Sequence, residues 1–438
     1  MRFETRHSFG PALQVERHRL DNGLGVILLR DPSAPVVAYQ TWFRVGSRHE
    51  APGKTGIAHL FEHLMFNQTA TLPAGEFDRQ MELAGAETNA ATWVDWTYYR
   101  NSLPAAKLEL AVRLEADRMS NLTLTDAQVD SEREVVANER RLTVDDDVEG
   151  FLFEELYQLA FARHPYHHPT IGWMDDIQGI TTADARAFYR AFYAPNRATV
   201  IVVGDIDPAA TLALIERHYG PIPPADVREP TAEPEPAQAG ERRARHAKPV
   251  TAERAVLAYK SPAQGHPDWL ALLAAAEVLT GGQSSRLWRD LVVDREIATS
   301  VSAALTPFRD PGLCQLYVTL KRDRSSDAAE EAIDRAVAAL AATPPDAVEL
   351  AKAKNRLETS FWSELDGVDG KAESLGHYET TLGDHRLLFD AARQLGELGA
   401  EDVRRAAETY LRRDARTVIV VEPSDESPEE DDDEGDDA

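Results

Sequence analysis

Apolar positions fall in short blocks along the first hundred residues, and the blocks read as strands at Val15–Leu20, Gly25–Arg30 and Val36–Val45. Asp21, Asn22 and Gly23 separate the first two, which is a hairpin signal. Helical spacing of apolar residues follows at Thr55–Phe66 and Glu76–Ala84, then short strands at Glu87–Trp93 and Thr97–Leu103. Helices are expected at Ala105–Met119, Asp126–Leu142 and Gly150–Ala162. The second half repeats the plan, with strands at Arg254–Tyr259, Thr299–Thr306 and Gly312–Lys321 and longer helices such as Ala347–Leu365. Strands and helices grouped in blocks predict an α+β fold, with helices on one face of a mainly antiparallel sheet.

The chain also repeats itself. Thr-Val-Ile-Val-Val stands at Thr199–Val203 and again at Thr417–Val421, an offset of 218 residues. At the same offset Asp184 meets Asp402, Arg186 meets Arg404 and Phe192 meets Tyr410. Both halves therefore end as an amphipathic helix followed by a buried β-branched strand, which points to duplication. Between the halves lies a stretch rich in Pro, Ala and Glu, read as an extended linker. The expected organisation is a first domain at 1–219, a linker at 220–250, a second similar domain at 251–421 and a tail at 422–438.

Charge refines this organisation. Of the formal −27, eleven acidic charges with no basic one fall in residues 422–438, leaving −16 for the rest. Such a tail has nothing to bury and is expected to be disordered. The acidic body argues against a phosphate-tracking nucleic-acid binder and favours basic or neutral ligands. No apolar run approaches the ~20 residues of a membrane span; the run Trp269–Ala276 stops at Glu277. The first twenty residues carry charges throughout, so no secretory signal is expected, and a cytoplasmic location is. Cys314 is the one cysteine, which excludes an internal disulfide and a multi-cysteine metal site.

The candidate chemistry sits at residues 59–63, His-Leu-Phe-Glu-His. On a helix, His59 and His63 at i and i+4 share one face, the separation two imidazoles need to reach one Zn²⁺ at ~2.0–2.1 Å. Glu62 points nearby and can act as a general base toward a water. This is the inverted zincin pattern H-x-x-E-H. A catalytic zinc also needs a third protein ligand and an open position. The helix Asp126–Leu142 offers Glu132, Glu134 and Glu139. Glu132 and Glu139, seven apart, share a face, and spacing alone does not choose between them.

With Gly46, Ser47, Glu50, Gly56, His59, Glu62, His63, Phe66 and Thr69 in this arrangement, the segment resembles the insulinase/pitrilysin family of zinc peptidases. The resemblance extends through Thr88-Asn89-Ala90, Asp95, Thr97 and Tyr99, Glu132 with Val135, Val136 and Glu139, His164-Pro165-Tyr166, Ile171-Gly172 and Gly204-Asp205. Length and the single motif look like the half-length subgroup that includes mitochondrial processing peptidase and bacterial heterodimeric relatives. The resemblance implies two similar domains and one zinc per chain, held by His59, His63 and Glu139. Glu62 would activate the water, and Glu132 would orient a ligand. Asn89, Ala90, Ala91 and Thr92 would form an edge strand to which an extended peptide adds, with Asn89 bonding its backbone near the scissile bond.

One part of that pattern is degenerate. The family's second domain supplies an Arg and a Tyr, seven apart, that hold the substrate carbonyl. Aligned on Leu291, those positions hold Val292 and Thr299, and Arg286 and Arg289 are out of register. Valine has no donor and threonine is too short. The resemblance therefore implies a homologous partner chain that supplies the pair, in a heterodimer closing like a clam shell around a chamber, with a homodimer as the runner-up.

Other residues have plainer readings. His164, His167 and His168 lie in a loop marked by Pro165 and Pro169. Asp145, Asp146 and Asp147 read as a helix N-terminal charge cluster, and Cys314 as a small core residue. The expected activity is zinc-dependent endopeptidase cleavage of unfolded peptides. The alternatives are a non-proteolytic scaffold or assembly subunit and a peptide-binding module that retains zinc.

Overall fold

The computed structural model describes residues 1–9, 13–226 and 231–424. The chain opens with strands β1 (Arg2–Phe9), β2 (Leu13–Arg19), β3 (Gly25–Arg30) and β4 (Val36–Phe43). Helices α1 (Ile57–Leu64) and α2 (Glu76–Leu83), strands β5 (Glu87–Thr92) and β6 (Thr97–Pro104), and helices α3 (Leu108–Asn121), α4 (Asp126–Arg140) and α5 (Val148–Ala160) follow. The first half closes with α6 (Met174–Gly179), α7 (Thr182–Phe192), β7 (Ala198–Gly204) and α8 (Pro208–Tyr219). The second half runs β8 (Arg242–Lys248), β9 (Arg254–Lys260), α9 (Trp269–Thr280), β10 (Ala298–Leu305), β11 (Leu313–Leu320) and α10 (Ser326–Ala342). It ends with α11 (Ala347–Glu364), α12 (Val368–Leu382), α13 (Leu387–Glu397), α14 (Ala400–Tyr410) and β12 (Arg416–Pro423).

The duplication read from the sequence is visible as matched elements. Helices α7 and α14 begin at Thr182 and Ala400 and end at Phe192 and Tyr410, and each leads into a largely buried strand built on Val-Ile-Val-Val. Even the caps correspond: Asp184 accepts from the Thr181 N–H at 2.9 Å and Asp402 from the Gly399 N–H at 3.0 Å. In both cases the third helical residue closes the exposed first turn.

Two compact units result, and each is discontinuous in sequence. The first comprises the described residues of Met1–Arg141, His164–Pro234 and Ser360–Ala392; the second comprises Leu142–Arg163, Glu235–Thr359 and the described residues from Arg393. Helix α5 thus belongs to the second unit and α12 to the first. Residues 242–248, which fall within the segment expected as linker, form strand β8, pairing in parallel with β12. Edge pairing is made by the backbone and needs no apolar run, so Arg-rich composition concealed it. Residues 425–438, most of the tail expected to be disordered, lie outside the described residues.

The first unit holds a seven-stranded sheet in the order β1-β2-β3-β7-β4-β6-β5, antiparallel except for β3 beside β7. Alternate side chains divide between its faces. Val26, Leu28, Tyr39, Phe43, Val200 and Val202 join the core shared with α1, α3, α4 and α7. Ile27, Leu29, Ala38, Trp42, Ile201 and Val203 join a smaller core with Ala372 and Leu375 of α12. The main helical layer lies on one face as expected, and α12 covers part of the other, which is why β7 is buried at every position. Trp42 stacks on Tyr98 with ring centroids 4.2 Å apart, and a Cβ on Gly376 would stand 2.2 Å from its Nε1. Only glycine lets α12 approach so closely.

The second unit holds a five-stranded sheet in the order β10-β11-β9-β12-β8. Leu257, Tyr259, Leu316, Val318, Val418 and Val420 pack with α9, α10 and α14. Helix α5 lies against β12, β9 and β8, and the Gln315 amide donates to the Tyr157 hydroxyl at 2.9 Å. Cys314 is buried on β11, with its thiol pushed up to about 12 by burial. No helix among the described residues is long and apolar enough to cross a membrane.

Candidate metal centre

Helix α1 divides its residues by face. Ile57, Ala58, Leu60, Phe61 and Leu64 are buried in the core, while His59, Glu62 and His63 turn to the partly open side. Its start is unusual. Gly56 adopts φ 89° and its Cβ would lie 2.4 Å from the Ile171 carbonyl oxygen, so no other residue suits this turn. Gly56 has no side chain to cap the helix. The Glu50 carboxylate does so instead, accepting from the Gly56 N–H at 3.0 Å and the Ala58 N–H at 2.8 Å.

Helix α4 packs beside α1 and starts at a capping box made by Thr125 and Gln128. Val129, Val136, Ala137 and Arg140 are buried, which turns Glu132 and Glu139 toward α1. Exposed Glu134 faces elsewhere. The helix expected to reach Leu142 ends at Arg140 and widens into a single π turn over Arg141–Asp145.

The packing brings three side chains to one point. Glu139 Oε1 lies 3.6 Å from His59 Nε2, and Oε2 lies 3.4 Å from His63 Nε2. The imidazole rings have centroids 5.0 Å apart at 78°. One ligand atom from each of His59, His63 and Glu139 lies within 4.8 Å of the others, the one such group among the described residues. Ligands at ~2.0–2.2 Å in tetrahedral array stand ~3.3–3.5 Å from one another. The nitrogen and carboxylate donors therefore fit a divalent metal of the zinc kind with little movement. His59 Nδ1 is buried without a hydrogen-bond partner, so the protein leaves that imidazole uncommitted.

The electrostatics follow from these contacts. Burial brings His59 down to about 4, against the pull of Glu139. The Glu139 hydrogen bond raises His63 above its ordinary value, and the same bond lowers Glu139. Glu62 is raised, chiefly by burial and against a hydrogen bond from Thr92 of β5. Glu132 stands on the other side of His63: its Oε2 is 3.8 Å from Nδ1, and its Oε1 accepts from the Asn67 amide at 2.9 Å.

Strand β5 ends the sheet and pairs only with β6 among the described residues, so its outer edge is open. It carries Asn89, Ala90, Ala91 and Thr92; Asn89 is exposed and its Oδ1 accepts from the Ala90 N–H at 2.8 Å. Helix α1 packs against this strand. Metal donors, a buried carboxylate and an open strand edge thus stand together.

Comparison with known proteins bears on this arrangement. Residues 25–172 match the family model described as insulinase (peptidase family M16), and residues 179–357 match the one described as peptidase M16 inactive domain. Zinc protease PqqE of Helicobacter pylori is 33% identical over 408 residues, which cover 92% of each chain. The chain belongs to the insulinase family of peptidases. The mitochondrial-processing peptidase subunit beta of Blastocladiella emersonii is 27% identical over 421 residues, covering 94% of this chain and 89% of that one. The crystal structure of a protease from Helicobacter pylori superposes with a TM-score of 0.89 at 32% identity, covering 93% of this chain and 99% of that one.

Within this insulinase-family chain the other expected residues take ordinary places. His168 contacts Ser47 O at 2.9 Å and Glu50 at 3.0 Å through Nε2, and the His164 ring accepts from the Tyr166 N–H at 3.2 Å. Asp147 caps α5 by accepting from the Gly150 N–H at 2.7 Å. In the second unit Val292 packs against the core, and Thr299 donates to the Thr319 carbonyl at 3.1 Å. Arg286 is held by Glu349 at 2.7 Å.

Three contacts of the site escaped sequence reasoning. Asn67 was findable, since it stands four residues after His63, on the same side of a helical path. The Thr92 contact to Glu62 and the Glu50 cap join segments far apart in sequence, and no local pattern marks them.

Proposed function

We propose that the chain is a zinc-dependent metalloendopeptidase that cleaves unfolded peptides or short polypeptides. The single observation that carries the reading is the convergence of His59, His63 and Glu139 beside the buried carboxylate of Glu62. In this reading those three residues hold one zinc. Zinc, when bound, supplies polarisation of the scissile carbonyl and a water of lowered pKa. Glu62 takes the proton from the attacking water and returns it to the leaving amine. Glu132 orients His63 through Nδ1. The peptide adds to the open edge of β5 in extended form, with Asn89 bonding its backbone beside the bond that is cut. Residues 1–219 carry this chemistry and residues 251–421 form the companion domain.

The reading includes a partner. Val292 and Thr299 occupy positions where the family pattern calls for an Arg and a Tyr, and absent oxyanion donors cost on the order of 10²–10³ in rate. A homologous chain carrying both residues would complete the site in a clam-shell heterodimer, in the cytoplasm. The relative named as a subunit of a processing peptidase supports this, being so similar over nearly the full length. The same two positions favour one rival, a peptide-binding module that keeps zinc without turnover.

The test is a fluorogenic peptide library assayed with the purified chain, alone and with a homologous partner chain. Chelator-sensitive cleavage, lost in Glu62→Gln, is expected, with about one zinc per chain. Binding without cleavage in every combination would select the rival.

A further inference from the structure

The segment running from His164 into α6 does more than join two helices. It touches the N-terminus of α1 at three places. His168 Nε2 reaches Glu50 at 3.0 Å and the Ser47 carbonyl at 2.9 Å. Thr55 donates to Asp176 at 2.7 Å through its hydroxyl, and that hydroxyl accepts from the Trp173 N–H at 2.9 Å. The Ile171 carbonyl fills the space where a Cβ of Gly56 would stand.

The same segment also grips α4. Arg140, next to Glu139, donates to the Gly172 carbonyl at 2.9 Å and lies over the Trp173 ring at 5.8 Å. Nearly two turns earlier, Arg133 donates to the Ile180 carbonyl at 2.8 Å. The two helices that bring His59, His63 and Glu139 together are therefore anchored to one piece of chain.

Glu50 is the centre of the device. Its side chain is fully buried, and its oxygens meet the Gly56 N–H, the Ala58 N–H and His168. A buried carboxylate is costly unless each oxygen is bonded. Here the bonds fall on the first turn of α1, where the helix dipole favours negative charge. The ligand-bearing turn is thereby held from behind, since Ala58 precedes His59 directly. Loss of the carboxylate would leave the Gly56 and Ala58 N–H groups buried with no acceptor, because glycine cannot cap.

We infer that Glu50, His168 and Arg140 are positioning residues that lock α1 and α4 to the 164–180 segment and so set the distance of Glu139 from the two histidines. The inference rests on the metal site proposed above. Glu50 acts through the N–H groups of the α1 N-terminus, His168 through the Glu50 carboxylate, and Arg140 through the Gly172 carbonyl.

The experiment measures zinc affinity by chelator competition, and the visible spectrum of the cobalt-substituted protein, in wild type and in Glu50→Gln, His168→Ala, His168→Gln and Arg140→Met. Folding is followed in parallel by circular dichroism. Zinc affinity is expected to fall about 10–100-fold in Glu50→Gln, His168→Ala and Arg140→Met, as for groups that orient metal ligands. The cobalt spectrum should change with it, since altered ligand geometry moves the bands. His168→Gln keeps an N–H donor and should recover part of the affinity. Folded variants with wild-type affinity and spectrum overturn the inference. If Glu50→Gln does not fold, His168→Ala and Arg140→Met carry the same expectation. Wild-type protein that takes up no metal overturns the site itself, whereas a wild type that binds metal beside unchanged variants overturns only the positioning role.

Discussion

Asn67 donates its side-chain amide to Glu132 at 2.9 Å, and this bond turns the other carboxylate oxygen toward His63. In the proposed site Glu132 orients His63, with its Oε2 3.8 Å from Nδ1 while Nε2 lies 3.4 Å from Glu139. Glu132→Ala is expected to weaken metal binding about 10–100-fold, and Asn67→Ala by less. Isothermal titration with zinc checks the order; equal affinity in all three proteins would count against an orienting role.

Glu62 lies beside the same histidine but is proposed to act on protons. Glu62→Gln keeps size and polarity and removes the base. Peptidase activity should fall by about 10² or more while zinc content stays near one per chain. Metal analysis of the same preparation separates the two effects: a variant lacking both zinc and activity would make Glu62 structural.

Glu139→Gln and His59→Ala remove proposed donors. Each should lose stoichiometric zinc, and the wild type should lose activity on dialysis against a chelator and regain it with added zinc. Unaltered zinc content in Glu139→Gln would shift the third ligand to Glu132, its neighbour on the same helix face.

Lys260 provides a pH dependence outside the site. Burial lowers it from 10.5 to about 8, while its ammonium donates to the Ala160 carbonyl at 2.7 Å and lies 3.6 Å over the Phe161 ring. Its folded pKa lies below its unfolded one, so between these values the unfolded chain holds more protons. Stability should rise with pH there, by at most about 1.4 kcal/mol per unit, and the burial cost is fully present below pH 8. The thermal midpoint of wild type relative to Lys260→Met, followed from pH 7 to 10, should therefore climb; a flat difference would show that the ammonium is not desolvated.

Gly376 tests the fit of α12 on the first sheet. Its Cβ would meet Trp42 at 2.2 Å, and Trp42 is buried against Tyr98. Gly376→Ala should destabilise the fold by about 1–3 kcal/mol, as overpacking does. Chemical denaturation followed by tryptophan fluorescence reads the loss, and a neutral result would mean that α12 shifts freely.

Several features were legible locally. H-x-x-E-H is a spacing on one helix, and the helix is present with those three side chains on its open side. The 218-residue repeat is also a local reading made twice, and α7 and α14 keep its register to the residue. Residues 242–248 were not legible as strand, because β8 is specified by pairing with β12 rather than by its own side chains.

Amino-acid order alone determined the element types outside β8, the duplication, the metal-binding pattern and the family resemblance, since each rests on local spacing. Tertiary structure decided what depends on which faces meet. Spacing left Glu132 and Glu139 equivalent, and the packing of α4 on α1 placed Glu139 between the histidines and Glu132 behind His63. Likewise the apolar faces of α5 and α12 announce burial but not against which sheet, and each joins the unit formed mainly by the opposite half of the chain. Burial of an apolar face is non-directional, so its partner is selected only when the whole chain is folded.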